Sequence, residues 1–288
     1  MNGILLVDKP AGWTSNDVVQ KLRGMLRERR VGHAGTLDPM ATGLLTVFVG
    51  RATRAVEFAE GDSKRYQASL RLGITTDTQD ITGTVLREQP AEVTADMLEK
   101  TLRCFEGPIL QTPPMYSAVK VQGRRLYEIA RRGGTVERPA RAITVQSIKL
   151  LGQEGEDWLL DVRCSKGTYV RTLCHDIGEA LGCGGCLSAL RRTEAGAFSV
   201  EDAHTLEELQ TLDAASFMIP VDRLFSVYPA LSVTAEEEKR VRNGNVFACT
   251  AEPGKYRLYG GDGSFLALGG MQDGCCWVIK SFFEVNTI

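Results

Sequence analysis

The sequence lacks any long apolar run and any pattern typical of an export signal. Its 288 residues contain no stretch close to the ~18 apolar residues that a membrane-spanning helix needs. The opening segment MNGILLVDKP has no basic region, and its apolar run at 4–7 is too short for a signal peptide. We therefore expect a cytoplasmic protein whose eight cysteines are free thiols.

Motifs of cofactor and hydrolase chemistry are also absent. Without a phosphate loop, G-x-G-x-x-G or H-E-x-x-H, the sequence gives no support for a nucleotide cofactor or a zinc protease. Three histidines and no G-x-S-x-G argue against a serine hydrolase. The single C-x-x-C, from Cys183 to Cys186, has no second pair at zinc-finger spacing, so we expect no metal site.

The chain lacks a basic surplus as well, because 34 Lys and Arg stand against 36 Asp and Glu. A net charge of -2 argues against a nucleic-acid partner when it is taken alone. The balance is uneven, however, since residues 1–200 carry 27 basic and 23 acidic residues and residues 201–288 carry 7 and 13. The basic residues concentrate at 21–54 and 112–142, where they could bind phosphates or form solvated helix faces.

Hydrophobic periodicity predicts an α+β fold, with a mixed, mainly antiparallel sheet flanked by helices. The segment 31–43 is predicted to be a loop, and Thr94 to cap a helix with Met97 on its apolar side. From about residue 228, short strands and glycine turns predict a small, acidic, β-rich second domain. Strands are predicted at 3–7, 44–49, 66–72, 142–151 and 158–164, and helices at 15–26, 51–60, 94–105, 126–132 and 169–181.

The most unusual segment is the loop from His33 to Gly43. It holds Asp38 between glycines and directly before a proline, and small neighbours let a ligand approach such a carboxylate closely. An Asx-turn of Asp38 with its own backbone accounts for the same pattern. The spacing alone favours the Asx-turn.

Two other segments combine an aromatic ring with positive charge. Arg171 stands two residues after Tyr169 at a predicted strand-to-helix junction, where it could hold a buried carboxylate ionised or form an ordinary surface pair. Tyr66 follows a lysine and an arginine, a combination that can stack a base and hold its phosphate. Tyrosines at strand starts nevertheless serve packing most often.

Taken together, several segments resemble the bacterial tRNA pseudouridine-55 synthases, and they stand in the order of that family. The resemblance runs from about residue 3 to residue 195, and 242–245 resembles more loosely the family's small C-terminal RNA-binding barrel. Several separate motifs in one order argue against a chance match. The segments are Gly3–Pro10, Gly32–Gly43, Lys64–Tyr66, Thr76–Asp80, Pro114–Lys120 and Ser165–Thr172.

This resemblance implies an enzyme that isomerises uridine to pseudouridine at position 55, in the T-loop of tRNA, without cofactor or metal. The base is flipped out, the glycosidic bond breaks, and C1′ rejoins at C5. Asp38 matches the essential aspartate, acting as nucleophile on C1′ or as base at C2′. Arg171 matches the arginine that pairs with it, and Tyr66 matches the tyrosine that stacks on the base and assists C5 deprotonation.

The resemblance also implies a substrate-binding set. His33 matches a residue that braces the space left by the flipped base, Lys9 and Pro10 match a support of the catalytic loop, and Tyr169 and Leu190 match walls of the pocket. Asp80 lies in a matched segment and is assigned to the same set. The basic insertion at about 112–139 matches a grip on the T-arm, with these phosphate contacts: Lys120, Arg124, Arg125, Arg131 and Arg132.

The implied organisation is a catalytic domain at 1–227 and a small PUA-like RNA-binding domain at 228–288. The expected partner is the tRNA T-arm, with no membrane and no protein partner, and the chain is expected to be a monomer. A non-catalytic tRNA-binding chaperone and a synthase for another RNA within a protein complex are the alternatives. The matched Asp38, Tyr66 and Arg171 argue against the first as a sole role, and the insertion favours a stand-alone enzyme.

Overall fold

The computed structural model describes residues 1–59, 63–117, 119–121, 123–130 and 132–283. None of the helices in these ranges combines the length and apolar character that crossing a membrane requires. The helices are α1 (Ser15–Leu26), α2 (Val56–Ala59), α3 (Ala95–Arg103), α4 (Leu126–Ala130), α5 (Val170–Ala180), α6 (Leu206–Thr211) and α7 (Ala235–Asn243). The strands are β1 (Gly3–Lys9), β2 (Val31–Ala34), β3 (Thr42–Val49), β4 (Lys64–Leu72), β5 (Ile74–Thr76), β6 (Val85–Glu88), β7 (Gly107–Gln111), β8 (Lys120–Val121), β9 (Arg124–Arg125), β10 (Arg141–Glu154), β11 (Asp157–Cys164), β12 (Gly185–Ala195), β13 (Phe198–Ser199), β14 (Ala230–Ser232), β15 (Phe247–Ala248), β16 (Gly254–Tyr259), β17 (Phe265–Gln272) and β18 (Cys275–Ser281).

A large sheet forms the first part of the chain. Its strands run in the order β1-β3-β12-β4-β11-β10-β7, with β2 added to β3 and β13 added to β12. Every pair is antiparallel except β3 and β12, which are parallel. This arrangement confirms the predicted α+β class with a mixed, mainly antiparallel sheet.

The sheet divides next to β3. One side of β3 pairs with β1 along its length, whereas the other side pairs first with β12, at Thr42 and Gly43, and then with β2, from Thr46 to Val49. β12 and β2 therefore pair with different parts of the same side of β3. Residues 35–41 connect the end of β2 to the start of β3. We call residues 35–41 the catalytic loop, after the role that the sequence resemblance implies for Asp38; they lie at this division of the sheet.

Both faces of β1 and β3 are buried, which explains their continuous apolar runs. Leu5 and Val7 point to a core shared with α1, α3 and α5, whereas Ile4 and Leu6 pack on the opposite side with Phe225 and other residues of the C-terminal part. The predicted helix at 15–26 is confirmed. Thr14 caps it, with reciprocal hydrogen bonds to Asp17, and its apolar face is buried.

Several predictions of local structure were wrong. Val31–Ala34 is a strand and not part of a loop, because the free edge of β3 offers it backbone partners. The predicted helix at 51–60 is a 3₁₀ turn over Gly50–Ala55 followed by α2. Met97 is 46% exposed, since α3 turns Leu98 and Leu102 to the core instead. β12, a central strand of the sheet, is absent from the prediction.

A second sheet, in the order β14-β16-β17-β18-β15, confirms a β-rich C-terminal part. Its helix α7 was not predicted, although Thr234 and Glu237 form a capping box and Gly244 ends the helix with φ 73. Most of the acidic surplus lies before this domain, because 201–222 holds six acidic residues and no Lys or Arg. The predicted domain at 228–288 holds seven acidic and six basic residues and is therefore only slightly acidic.

Candidate active site

Asp38 lies in the catalytic loop beside Arg171. One carboxylate oxygen, Oδ2, is 2.9 Å from Nε of Arg171, whose side chain is only 5% exposed against 39% for Asp38. Burial raises the pKa of the Asp38 carboxyl, and Asp80 raises it further, while Arg171 and Lys9 lower it. The two cations thus favour the ionised carboxylate at a site open enough for a ligand to reach it. The Asx-turn interpretation is not needed, because the carboxylate pairs with Arg171.

Arg171 connects three segments of the chain at the start of α5. Its NH1 donates to the Thr78 carbonyl at 3.2 Å and to Oδ2 of Asp80 at 3.3 Å, and its NH2 donates to the Tyr116 carbonyl at 3.0 Å. The guanidinium therefore binds two carboxylates while its remaining donors fix the neighbouring loops. This geometry keeps one face of Arg171 directed at Asp38.

Asp80 is buried on the other side of Arg171. Its Oδ1 accepts hydrogen bonds from the Thr82 amide at 3.0 Å, the Thr82 hydroxyl at 2.5 Å and the Thr78 hydroxyl at 2.9 Å. With 5% of its surface exposed, it is shielded from solvent. Asp80 therefore pairs with Arg171, and its assignment to substrate binding stays a prediction.

Lys9 holds the catalytic loop in place through hydrogen bonds to backbone carbonyls. It is fully buried, and its Nζ donates to the carbonyls of Pro10 at 2.9 Å, Trp13 at 2.7 Å and Pro39 at 3.3 Å. Burial lowers the pKa of Lys9 to about 8, an effect that Asp38 opposes. Three acceptors match the three N–H donors of an ammonium group, so Lys9 fixes the residue after Asp38.

Tyr66 and Arg192 face each other on paired strands, β4 and β12. Tyr66 is 7% exposed, and burial raises the pKa of its hydroxyl, while the nearby Arg192 guanidinium lowers it. Arg192 is itself buried, and it donates from Nε to the Leu44 carbonyl at 2.7 Å and from NH2 to the Gly35 carbonyl at 2.8 Å. Arg192 thus contacts the first residue of the catalytic loop.

The remaining predicted site residues lie on elements that adjoin Arg171, Tyr66 or the catalytic loop. Tyr169 caps α5, and its backbone is held by Gln111, whose side chain accepts from the Tyr169 amide at 2.8 Å and donates to its carbonyl at 3.1 Å. Leu190 is buried on β12 opposite Ala68. His33 lies on β2, two residues before the catalytic loop begins.

The basic insertion is described only in part. The backbone of Lys120, Arg124 and Arg125 forms the short pair β8–β9, and Arg132 is exposed after α4. Arg131 lies outside the described residues, as do the side chains of Lys120, Arg124 and Arg125. Their role as phosphate contacts stays a prediction.

Comparison with known proteins assigns the family. The model of the TruB family pseudouridylate synthase N-terminal domain matches residues 23–170, and that of the tRNA pseudouridylate synthase B C-terminal domain matches residues 171–226. The chain belongs to the TruB family. Asp38 and Tyr66 thus lie in the first matched part, and Arg171 is the first residue of the second.

Curated relatives within the TruB family extend over nearly the whole chain. A protein from Aromatoleum aromaticum named tRNA pseudouridine synthase B is 46% identical over 93% of this chain and 88% of its own length. One of the same name from Clostridium kluyveri is 42% identical over 98% of this chain and all of its own length. The chain is therefore a pseudouridine synthase, an isomerase, as the sequence predicts.

The fold agrees with solved structures. A Cbf5-Nop10-Gar1 complex contains a chain with a TM-score of 0.73 and 27% identity, covering 98% of this chain and 85% of that one. A chain in an H/ACA RNP bound to a substrate RNA containing 2'-deoxyuridine has a TM-score of 0.72 and 25% identity, covering 99% and 86%.

Two residues of this TruB-family site were missed by sequence reasoning. Arg192 follows Arg191 in a segment not predicted as a strand, and an arginine at an inward strand position is the signal that could have revealed it. Gln111 carries no such signal, because a glutamine at the end of a strand, two residues before a pair of prolines, is ordinary.

Proposed function

We propose that this enzyme converts uridine 55 in the T-loop of tRNA to pseudouridine, with Asp38 reacting at the ribose. The observation that carries the proposal is the ion pair between Asp38 and the buried Arg171 at the division of the sheet. The names of the curated relatives support tRNA as the substrate.

The reaction needs a carboxylate that stays ionised near RNA phosphates. C1′–N1 breaks and C1′–C5 forms, while a proton leaves C5 and N1 gains one, so the overall change is an isomerisation. Asp38 is suited to attack C1′ or to take a proton at C2′, since its carboxylate is reachable and Arg171 favours the ionised form against the opposing effect of burial.

The groups around Asp38 fit a flipped pyrimidine. A stacked uridine must leave the helix at a cost of a few kcal/mol before Asp38 can reach its ribose. Tyr66 provides an aromatic face on which the base can stack, and Leu190 and Tyr169 line the pocket. His33 fills the space in the RNA that the flipped base leaves. Lys9, beside Pro10, keeps the catalytic loop in place during this exchange.

The two main sheets support a division of the chain into two domains. We assign residues 1–227 to the catalytic domain and 228–288 to a PUA-like RNA-binding domain, with the insertion at about 112–139 gripping the T-arm. The enzyme acts in the cytoplasm as a monomer without a protein partner.

Tritium release tests the substrate. A T-arm hairpin with a single 5-tritiated uridine at position 55 should release its label in the presence of the protein, because the C5 hydrogen is lost during isomerisation. The same hairpin with its label at a stem uridine, and an unrelated hairpin with a tritiated loop uridine, should not. Equal release from the unrelated hairpin would contradict the T-loop assignment.

The basic insertion should control RNA affinity. Neutralising Arg124, Arg125, Arg131 and Arg132 together is expected to weaken hairpin binding and to flatten its salt dependence, because each lost phosphate contact reduces the slope of log K against log salt by about 0.9. Binding measured from low to high salt checks this. The exposed Arg103, at the end of α3 outside the insertion, gives a matched charge control as Arg103→Gln. An unchanged slope of log K against log salt in the fourfold variant would refute the role of the insertion in binding the T-arm.

A further inference from the structure

Arg192 is a buried charge that the reaction outlined above does not use. It is 1% exposed and stands between β3 and β4, opposite Gly43 on one side and Tyr66 on the other. Within the described ranges its guanidinium forms no ion pair with a carboxylate, and its hydrogen bonds go to two backbone carbonyls. A buried charge without a counterion costs free energy, so a structural role alone would be served better by an apolar side chain.

The third nitrogen of this guanidinium lies at the catalytic loop. NH1 is buried and has no hydrogen-bond partner among the described residues. It lies so close to Gly35 that a Cβ atom there would come within 3.2 Å of it. Gly35 has φ 67, a conformation that favours glycine, and its carbonyl accepts from NH2. Arg192 and Gly35 therefore fit each other closely, and together they fix where the loop leaves β2.

The same guanidinium also lies beside the hydroxyl of Tyr66. The charged and titratable groups near that hydroxyl are Arg192 on β12, Cys164 on β11 and Asp38 in the catalytic loop. Arg192 is the cation among these three. One residue thus donates to the loop that carries Asp38 and stands opposite Tyr66 on the neighbouring strand.

We propose that Arg192 is a positioning residue, which fixes the catalytic loop and the Tyr66 hydroxyl relative to each other so that Asp38 and Tyr66 meet the flipped uridine together. This inference rests on the proposed function, because it concerns the rate of the same isomerisation. Holding reacting groups in place is worth about 100-fold in rate when a displacement near 1 Å is prevented. The role belongs to the chemical step and not to RNA binding.

A double-mutant cycle tests the inference. Arg192→Gln and Arg192→Lys are made in the natural protein and in Tyr66→Phe, and single-turnover tritium release and hairpin affinity are measured for each. We expect Arg192→Gln to lower the single-turnover rate about 100-fold with unchanged affinity, and Arg192→Lys to recover part of the loss because it keeps the charge. In the Tyr66→Phe background the same Gln substitution should cost about 10-fold less, since the two residues act together.

Matched controls separate this role from a general loss of structure. Arg191→Gln changes the neighbouring arginine, which is 39% exposed and pairs with Asp8, and should leave rate and affinity unchanged. If Arg192→Gln does not fold, the Lys variant in both backgrounds gives the same cycle. Equal losses with and without the Tyr66 hydroxyl, or an unchanged rate, would overturn the inference. An inactive natural protein would instead refute the proposed function.

Discussion

Replacing Asp38 with asparagine is expected to abolish pseudouridine formation while the protein stays folded and binds RNA. Asparagine keeps the size of the side chain but can neither attack C1′ nor take a proton at C2′, so the single-turnover rate should fall by at least about 10³-fold. Because burial raises the pKa of the Asp38 carboxyl, its ionised form is disfavoured by the fold. The substitution should therefore leave the midpoint of thermal unfolding unchanged or slightly raised.

The pH dependence supplies a second readout for Asp38. The reaction needs the ionised carboxylate of Asp38, and the pKa of this carboxyl is raised. As the pH is lowered, the rate of the natural enzyme should therefore begin to fall at a higher pH than the ordinary pKa of an aspartate would predict. Asp96→Asn, an exposed position in the first turn of α3, is the matched control and should leave this profile unchanged. Release by the Asp38 variant at a rate near that of the natural enzyme would contradict the assignment.

The order of motifs in the sequence was enough to predict that Asp38 and Arg171 lie together. A carboxylate between glycines and a proline predicts a constrained turn, but the turn alone favours the Asx interpretation. Only the resemblance pairs Asp38 with Arg171, which stands 133 positions later in the sequence. The structure brings the two within ion-pair distance, because α5 begins beside the division of the sheet.

What the sequence could not predict depends on contacts between distant strands. Arg192 acquires its surroundings from β12, whose alternation is interrupted by register shifts near Leu187 and Arg192 and therefore gives a weak period-2 signal. Gly32 weakened the strand pattern of β2, so the sequence did not predict it. The segment forms a strand because the backbone groups on one side of β3 are free to pair with it. In contrast, α7 had local signals at both ends and was predictable.

Removing the charge of Arg171 is expected to damage both stability and catalysis, for separable reasons. Arg171→Met leaves Asp80 buried without its cation, and breaking a buried pair in this way costs about 3–5 kcal/mol. It also removes the charge that favours the ionised Asp38, so the single-turnover rate should fall together with the free energy of unfolding. Urea unfolding and tritium release measure the two effects independently.

A second substitution separates these two losses. In Arg171→Met with Asp80→Asn the buried carboxylate is replaced by a neutral amide, so most of the lost stability should return, because the amide oxygen can still accept from the Thr82 amide. Activity should not return, because Asp38 still lacks its partner. Arg163→Met, which breaks an exposed pair with Glu194, should change stability by less than about 1 kcal/mol. If the double variant regains activity along with stability, Arg171 supports the fold alone, and the ionisation of Asp38 does not depend on it.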